Sequence, residues 1–231
     1  MNTPIVSGTI DNLYAEFGLP QPTLARPITP LSQLIDSSNL MCKELTRLTI
    51  PTAGDFLLQR GGAFDPLPSL TTEALAGFLY ATPGYGCIFV EREDIFSRRR
   101  FSAAHELGHY VLHFRPRLAA EVDIDEPLLD AFLNTVEDAE PDDLPLGQMA
   151  FPGLSDQTAL FQQMEREANE FAAELLMPTD VVRALVEKYQ RYFGGDDLIK
   201  RLSGEMYVSR AAVRWRLRKL GLSAALSAPL N

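Results

Sequence analysis

The three histidines of the chain lie close together, in the sequence His105-Glu106-Leu107-Gly108-His109 and, four residues further on, at His113. In an α-helix, residues four positions apart project from the same face, one turn apart. His105 and His109 can therefore hold one metal ion. Glu106 lies about 100° around the helix from His105, beside the ion rather than on it. A carboxylate there can act as a general base towards water, which is the chemistry that the H-E-x-x-H pattern serves.

The third histidine fits this site less well. His113 lies one turn beyond His109 and about 40° around the helix, outside a normal ligand position. It also does not match the longer H-E-x-x-H-x-x-G-x-x-H spacing, in which a third histidine is a ligand. We predict that His113 supports the site from outside the ligand set or lies in the core, with direct ligation as the alternative.

A catalytic zinc site usually has three protein ligands and one open position. Because no histidine is left, the third ligand should be a carboxylate or a cysteine. A helix is predicted over residues 158–177, and Glu165 falls within its apolar face. A buried carboxylate needs a partner, and a metal ion is a suitable one, with an arginine as the alternative. Asn169, one turn after Glu165, could orient a ligand. The other glutamates fall on the outer face: Glu167, Glu170 and Glu174.

The motif must lie on a helix that is anchored in the protein interior. Residues 101–114 contain no helix breaker except Gly108, and we expect Pro116 to close the helix. An apolar arc opposite the ligands would pack in the core, so that the ligands face a cleft. This arc consists of Ala103, Ala104, Leu107, Val111 and Phe114. Gly108 has no side chain, so another backbone or a substrate can approach closely there.

Apolar periodicity and turn residues predict the surrounding elements. Residues 1–30 should form an extended arm or a short helix packed on the body. Further helices are predicted over residues 31–45, 52–59, 128–136 and 180–192, the last capped by Thr179. A hairpin is predicted from strands over residues 76–80 and 87–91. Residues 196–220 indicate two helices joined by a turn, with Ser209 capping the second.

Composition argues against a membrane protein or an exported protein. No stretch approaches the roughly 18 apolar residues of a membrane span, and the first residues lack the regions of a signal peptide. Cys42 and Cys87 alone provide no disulfide framework. We therefore expect a cytoplasmic protein without a membrane partner.

The net charge of −10 arises mainly from residues 118–165, which hold twelve of the 31 acidic residues and no Lys or Arg.

Two blocks of the sequence together resemble the ImmA/IrrE family of zinc peptidases from bacteria, phages and mobile elements. The first block runs from Arg100 to His113 and the second from Glu165 to Pro178, with a weaker likeness over roughly residues 50–220. The resemblance implies one Zn²⁺ per chain. It also implies the roles of the site residues, with Glu106 as the catalytic base and three metal ligands: His105, His109 and Glu165.

The resemblance further implies an α+β fold, in which a zincin-like metallopeptidase domain combines a small β-sheet with the active-site helix. A small helix-turn-helix-like helical domain should follow. On this basis residues 1–50 form an N-terminal arm and helix, and residues 51–178 form the zincin-like domain. An acidic insertion at about residues 118–157 belongs to that domain, and residues 179–231 form the helix-turn-helix-like domain.

Members of this family characteristically cleave a helix-turn-helix transcriptional repressor. The resemblance therefore implies a zinc-dependent endopeptidase that derepresses stress-response or mobile-element genes. One departure is the spacer between His109 and Glu165, which is longer than is usual for the family and strongly acidic. The insertion could serve as a lid, a substrate clamp or a docking surface.

Two other functions compete with the peptidase. The first is a DNA-binding transcriptional regulator with a structural zinc, because basic residues surround the two C-terminal helices. These residues are Lys200, Arg201, Arg210, Arg214, Arg216, Arg218 and Lys219. The second is an inactive metal-binding interaction module that docks through the acidic insertion.

Overall fold

Short helices and strands alternate before the motif, and helices dominate after it. The computed structural model describes residues 3–62, 73–82, 84–119, 128–133 and 158–226. The strands are β1 (Leu40–Leu45), β2 (Leu75–Ala81), β3 (Gly86–Glu91) and β4 (Leu128–Leu133). The helices before β4 are α1 (Thr3–Phe17), α2 (Leu31–Ser37), α3 (Ile50–Gln59), α4 (Phe96–His109) and α5 (Arg115–Ala119), with a π-helical turn (Tyr110–Phe114) between the last two. The later helices are α6 (Thr158–Leu176), α7 (Thr179–Tyr189), α8 (Gly195–Met206) and α9 (Arg210–Lys219), followed by a 3₁₀ turn (Ser223–Leu226).

The strands form one mixed sheet in the order β1-β3-β2-β4. The predicted hairpin is confirmed, because β2 pairs antiparallel with β3. β1 pairs parallel with β3 on one side, and β4 pairs antiparallel with β2 on the other. Successive side chains of a strand point to opposite faces, so the sheet has two buried faces. Phe89 packs with the residues of α3 on one face, and Val90 packs with the large helical core on the other.

The helical core joins the sheet to the helices on both sides of it in sequence. α4 packs against β2, β3 and α6, and α1 packs against α6. Of the two alternatives predicted for residues 1–30, an extended arm or a short helix, the structure shows the helix. This helix, α1, buries Val6, Ile10 and Leu13. No helix among the described residues is both long and apolar enough to cross a bilayer. The division into three domains stays a prediction.

The helix predicted over residues 31–45 is wrong in its second half. α2 ends at Ser37, and Leu40–Leu45 is strand β1. Asn39 has a φ of 58°, the left-handed conformation that asparagine tolerates better than most residues and that ends a right-handed helix. The backbone beyond it pairs with β3. Apolar periodicity could not distinguish this short edge strand from a further helical turn.

The helix predicted near residues 128–136 is also wrong, since Leu128–Leu133 forms β4. β2 would otherwise present unpaired N–H and C=O groups along this edge, and β4 satisfies them. Such long-range pairing overrides local helix propensity. The rest of the predicted acidic insertion, except residues 118–119, lies outside the described residues.

The motif helix is longer than predicted. It begins at Phe96 rather than Phe101, and Pro116 does not close it, because α5 continues to Ala119. A π-helical turn precedes the proline, with the N–H of Arg115 bonded to the carbonyl of Tyr110, five residues back. The hydrogen-bond register has thus already changed before the chain reaches the proline, which has no N–H to donate.

The C-terminal helices lie close to their predicted positions. Ser209 is the N-cap of α9, and its hydroxyl accepts a hydrogen bond from the Ala212 N–H at 3.0 Å. The predicted cap of α7 is wrong, because Pro178 is the N-cap and Thr179 is the first helical residue. Two helices joined by a turn are therefore present, whereas an independent helix-turn-helix-like domain stays a prediction.

A buried ion pair fastens these helices to α6. The outer-face placement of Glu174 is wrong, since it is only 9% exposed and binds Arg216 of α9. Arg216 also donates to the carbonyl of Met177 at 3.0 Å, and the Thr179 N–H donates to Glu174 at 2.9 Å. The two partners lie far apart in the sequence, so no local pattern could reveal the pair.

Replacing Arg216 by alanine should destabilise the fold strongly, because it leaves the Glu174 carboxylate buried without its charged partner. Breaking a buried pair in this way costs about 3–5 kcal/mol. Urea unfolding of the full chain measures the free energy of unfolding directly.

The matched control is Arg214→Ala, which removes an exposed arginine from the same helix and breaks its pair with Asp196. Exposed pairs contribute little to stability. Equal losses in the two variants would contradict the structural role of the buried pair.

Candidate active site

The motif residues lie on α4 and are anchored as predicted. The apolar arc is buried, from Ala103, which is 5% exposed, to Phe114, which is 2% exposed. His105, Glu106 and His109 are fully buried, and the expectation that the ligands face a cleft stays a prediction.

His105, His109 and Glu165 converge, although Glu165 lies on α6. Nε2 of His105 is 3.0 Å from Nε2 of His109, and Nε2 of His109 is 3.2 Å from Glu165 Oε1. Glu165 Oε2 lies 3.5 Å from Nε2 of His105. A tetrahedral ion with bonds of about 2.0–2.1 Å holds its ligand atoms about 3.3 Å apart. The three side chains thus already have the spacing that such an ion requires.

The chemistry of the donor set also suits a metal. Among the described residues, these three side chains form the one cluster whose ligand atoms all lie within 4.8 Å of one another. Burial acts to raise the pKa of the Glu165 carboxyl, but interactions with the imidazoles of His105 and His109 outweigh it and lower the pKa to about 2. The carboxylate is ionised. Two imidazoles and one carboxylate are donors that zinc and similar divalent ions accept.

Asn169 fixes the orientation of His105. Its side-chain oxygen lies 2.9 Å from Nδ1 of His105. Because an amide oxygen only accepts, Nδ1 carries the proton and donates it. Nε2 therefore keeps its lone pair, which faces the other two ligands. A bond of this kind sets both the tautomer and the ring angle of a metal-binding histidine.

His113 lies outside the cluster, on the π-helical turn. Its Nε2 donates to the carbonyl of Met164 at 3.3 Å, and it lies 3.9 Å from a carboxylate oxygen of Glu167. The ring is partly buried. His113 thus holds the backbone of α6 at the residue before Glu165. It contacts the helix that carries the ligand and is not part of the ligand cluster.

Gly108 lets α4 and α6 approach closely. A Cβ at this position would lie 3.2 Å from Cβ of Phe171 and 3.3 Å from Cα of Ala168. Both atoms belong to rigid parts of α6, so a methyl group would force the helices apart. Of the two partners that the sequence allowed, the structure places another backbone there.

A second glycine makes room for Glu106. Gly77 lies on β2, and a Cβ on it would overlap Oε1 of Glu106 and lie 3.2 Å from Cδ and Cγ. The Glu106 carboxylate therefore lies against the backbone of β2. Gly77 is not among the site residues predicted from the sequence, although a glycine in the middle of a strand is a sign of close approach.

Fold and site together define a protein with a mixed sheet, a helical core and a buried cluster of two histidines and one glutamate that could hold a metal ion. The family model of the IrrE N-terminal-like domain, Peptidase_M78, matches residues 67–127 and 158–218, more than half of the chain. The chain belongs to this peptidase family, which confirms the family predicted from the two sequence blocks. The match is interrupted over residues 128–157, within the predicted insertion. No curated protein matches the chain significantly.

Removing the Glu165 carboxylate should abolish stable metal binding, because two histidines alone leave the site one ligand short. We expect Glu165→Ala to contain much less than the one zinc per chain expected of the wild type. Elemental analysis after gel filtration measures this. Glu170→Ala is the control, since Glu170 lies on the same helix but pairs with Lys219 instead. Full zinc content in Glu165→Ala would contradict the assignment.

Gly77→Ala should reduce catalysis without removing the metal. The added methyl group pushes aside the Glu106 carboxylate, and a displacement of about 1 Å in a catalytic group can cost about 100-fold in rate. The measurement is kcat together with zinc content.

Gly84→Ala is the matched control, because a Cβ on this hairpin glycine would meet nothing within 4 Å. A Gly77→Ala variant as active as the control would show that the position of Glu106 is not critical.

Proposed function

We propose that the protein is a zinc-dependent endopeptidase that hydrolyses peptide bonds with Glu106 as the general base. The observation that carries this proposal is the convergence of His105, His109 and Glu165 beside a buried Glu106. A structural zinc needs no neighbouring base, whereas a hydrolytic zinc does. Membership of a peptidase family supports the same conclusion.

Zinc in this site would polarise the scissile carbonyl and acidify water. The residues of the chain then have separate tasks. Glu106 accepts a proton from the attacking water at its carboxylate oxygens and delivers it to the leaving amine. Asn169 holds His105 in the tautomer whose Nε2 lone pair can bind a metal ion. Gly77 leaves the space in which the Glu106 carboxylate lies.

We propose a helix-turn-helix transcriptional repressor as the substrate. The support is the resemblance to the ImmA/IrrE family, whose members characteristically cleave such repressors. Cleavage would derepress stress-response or mobile-element genes. A repressor bound to the chromosome would also place the enzyme in the cytoplasm.

The contacts of the basic residues favour the peptidase over the DNA-binding alternative. Arg216 forms a buried ion pair with Glu174, and the guanidinium of Arg201 lies 2.6 Å from the carboxylate of Glu205. Arg214 pairs with Asp196 at 3.0 Å. Much of the positive charge predicted to meet phosphates is therefore matched by carboxylates of the chain itself. The fully buried Glu106 likewise argues against the inactive interaction module, which has no need of a base.

Glu106→Gln should keep the zinc but lose cleavage. The amide has nearly the shape of the carboxylate but cannot take up a proton, and general-base catalysis contributes about 10²–10⁴-fold. The assay incubates the purified full chain with the repressor encoded nearest to its gene and follows fragments by mass spectrometry.

Two controls test whether any loss of cleavage is specific to Glu106 and whether cleavage needs the metal. Glu170→Ala should cleave like the wild type, and a chelator should stop both proteins. Cleavage by Glu106→Gln at the wild-type rate would rule out the proposed mechanism. A wild type that holds zinc but cuts neither the repressor nor any other protein would favour the interaction module.

A further inference from the structure

The outer edge of β2 is covered by β4, with one irregularity of the register between Leu75 and Gly77. The antiparallel register runs from Leu75 opposite Leu133 to Ala81 opposite Leu128. Among the described residues, β4 is the last strand on this side of the sheet. If β4 were removed, β2 would present a row of unpaired backbone groups.

The edge of β2 that β4 covers lies beside Glu106, the proposed general base. Gly77 of β2 is in contact with Glu106 on one side and pairs with Phe132 of β4 along the sheet. Cα atoms of β4 also come within 8 Å of Cα atoms of α4. A polypeptide that pairs with β2 at Gly77 therefore runs past the base.

β4 does not belong to the part of the chain that matches the family. The match stops at residue 127 and resumes at residue 158, and β4 occupies residues 128–133. The strand thus lies outside the matched residues, whereas its neighbours β2 and β3 lie within them. Its position coincides with a site whose ligands and base are fully buried.

A peptidase needs an extended peptide next to its base. An exposed strand edge binds extended peptides of many sequences, because the bonds are made by main-chain groups. Building on the proposed peptidase function, we propose that β4 is an internal occupant of the edge at which the substrate peptide pairs. β4 then holds the enzyme closed until it is displaced from β2.

The test weakens β4 pairing while leaving the site residues intact. Adjacent residues of an antiparallel strand direct their N–H groups to opposite sides, so proline at both Asp130 and Ala131 removes one bond to β2 whichever residue donates it. The matched control, Asp130→Ala with Ala131→Ser, keeps both N–H groups. Equal zinc content in the two double variants shows that the site is intact in both.

A binding experiment tests the edge without requiring cleavage. In a Glu106→Gln background, a fluorescent peptide with the sequence of residues 126–135 is titrated into each double variant. We expect at least about tenfold tighter binding to the proline variant, because apparent affinity scales with the fraction of chains whose edge is open. A scrambled peptide should bind to neither. Equal affinity of the two variants for the strand peptide would overturn the proposal.

A cleavage experiment tests the regulation. With Glu106 intact, the proline variant should cut the repressor at least about tenfold faster than the control, and the strand peptide should inhibit it competitively. Unchanged cleavage in a variant that binds the peptide would overturn the regulatory role. If no variant cleaves anything, the peptidase function fails, while the binding experiment still decides whether β4 occupies the edge.

Discussion

The histidines of the site lie on α4 and the carboxylate lies on α6, so these two helices must meet at backbone distance. Gly108 provides that distance, because any side chain there would press on Phe171 and Ala168. The contact brings Glu165 within 3.5 Å of both imidazoles. Other features maintain it. His113 bonds to the carbonyl of Met164, and Asn169 reaches from α6 back to His105.

The buried polar and charged groups of the site must be paired within the fold. A carboxylate and two imidazoles in an apolar interior are costly unless they are paired, and here they are paired with one another. The far end of α6 is fixed by the second buried ion pair, between Glu174 and Arg216. One helix thus carries two buried carboxylates with different partners, one for the metal site and one for the C-terminal helices.

Local sequence patterns predicted those features that depend on one helix at a time. The spacing of His105 and His109 and the position of Glu165 in an apolar face both follow from the period of the α-helix. The absence of a side chain at Gly108 likewise predicts a point of close approach. The geometry then showed how these residues meet, which no single helix could reveal.

The features that depend on distant pairing were missed. β1 and β4 become strands because β3 and β2 offer edges to them, and their own residues do not specify this. Glu174 appeared exposed because its partner Arg216 comes from a helix 42 residues further along. Gly77 could have been found from the sequence, since a glycine inside a strand often marks a close contact. That this contact is with Glu106 could not be found in the same way, because the two residues lie on different elements.

The central claim is that two imidazoles and one carboxylate hold a single zinc ion beside Glu106. X-ray absorption spectroscopy of the zinc-loaded wild type tests it most directly. We expect one zinc per chain with only nitrogen and oxygen neighbours at about 2.0–2.1 Å, including two imidazoles. A sulfur neighbour at about 2.3 Å, which Cys42 or Cys87 would have to supply, would contradict the account.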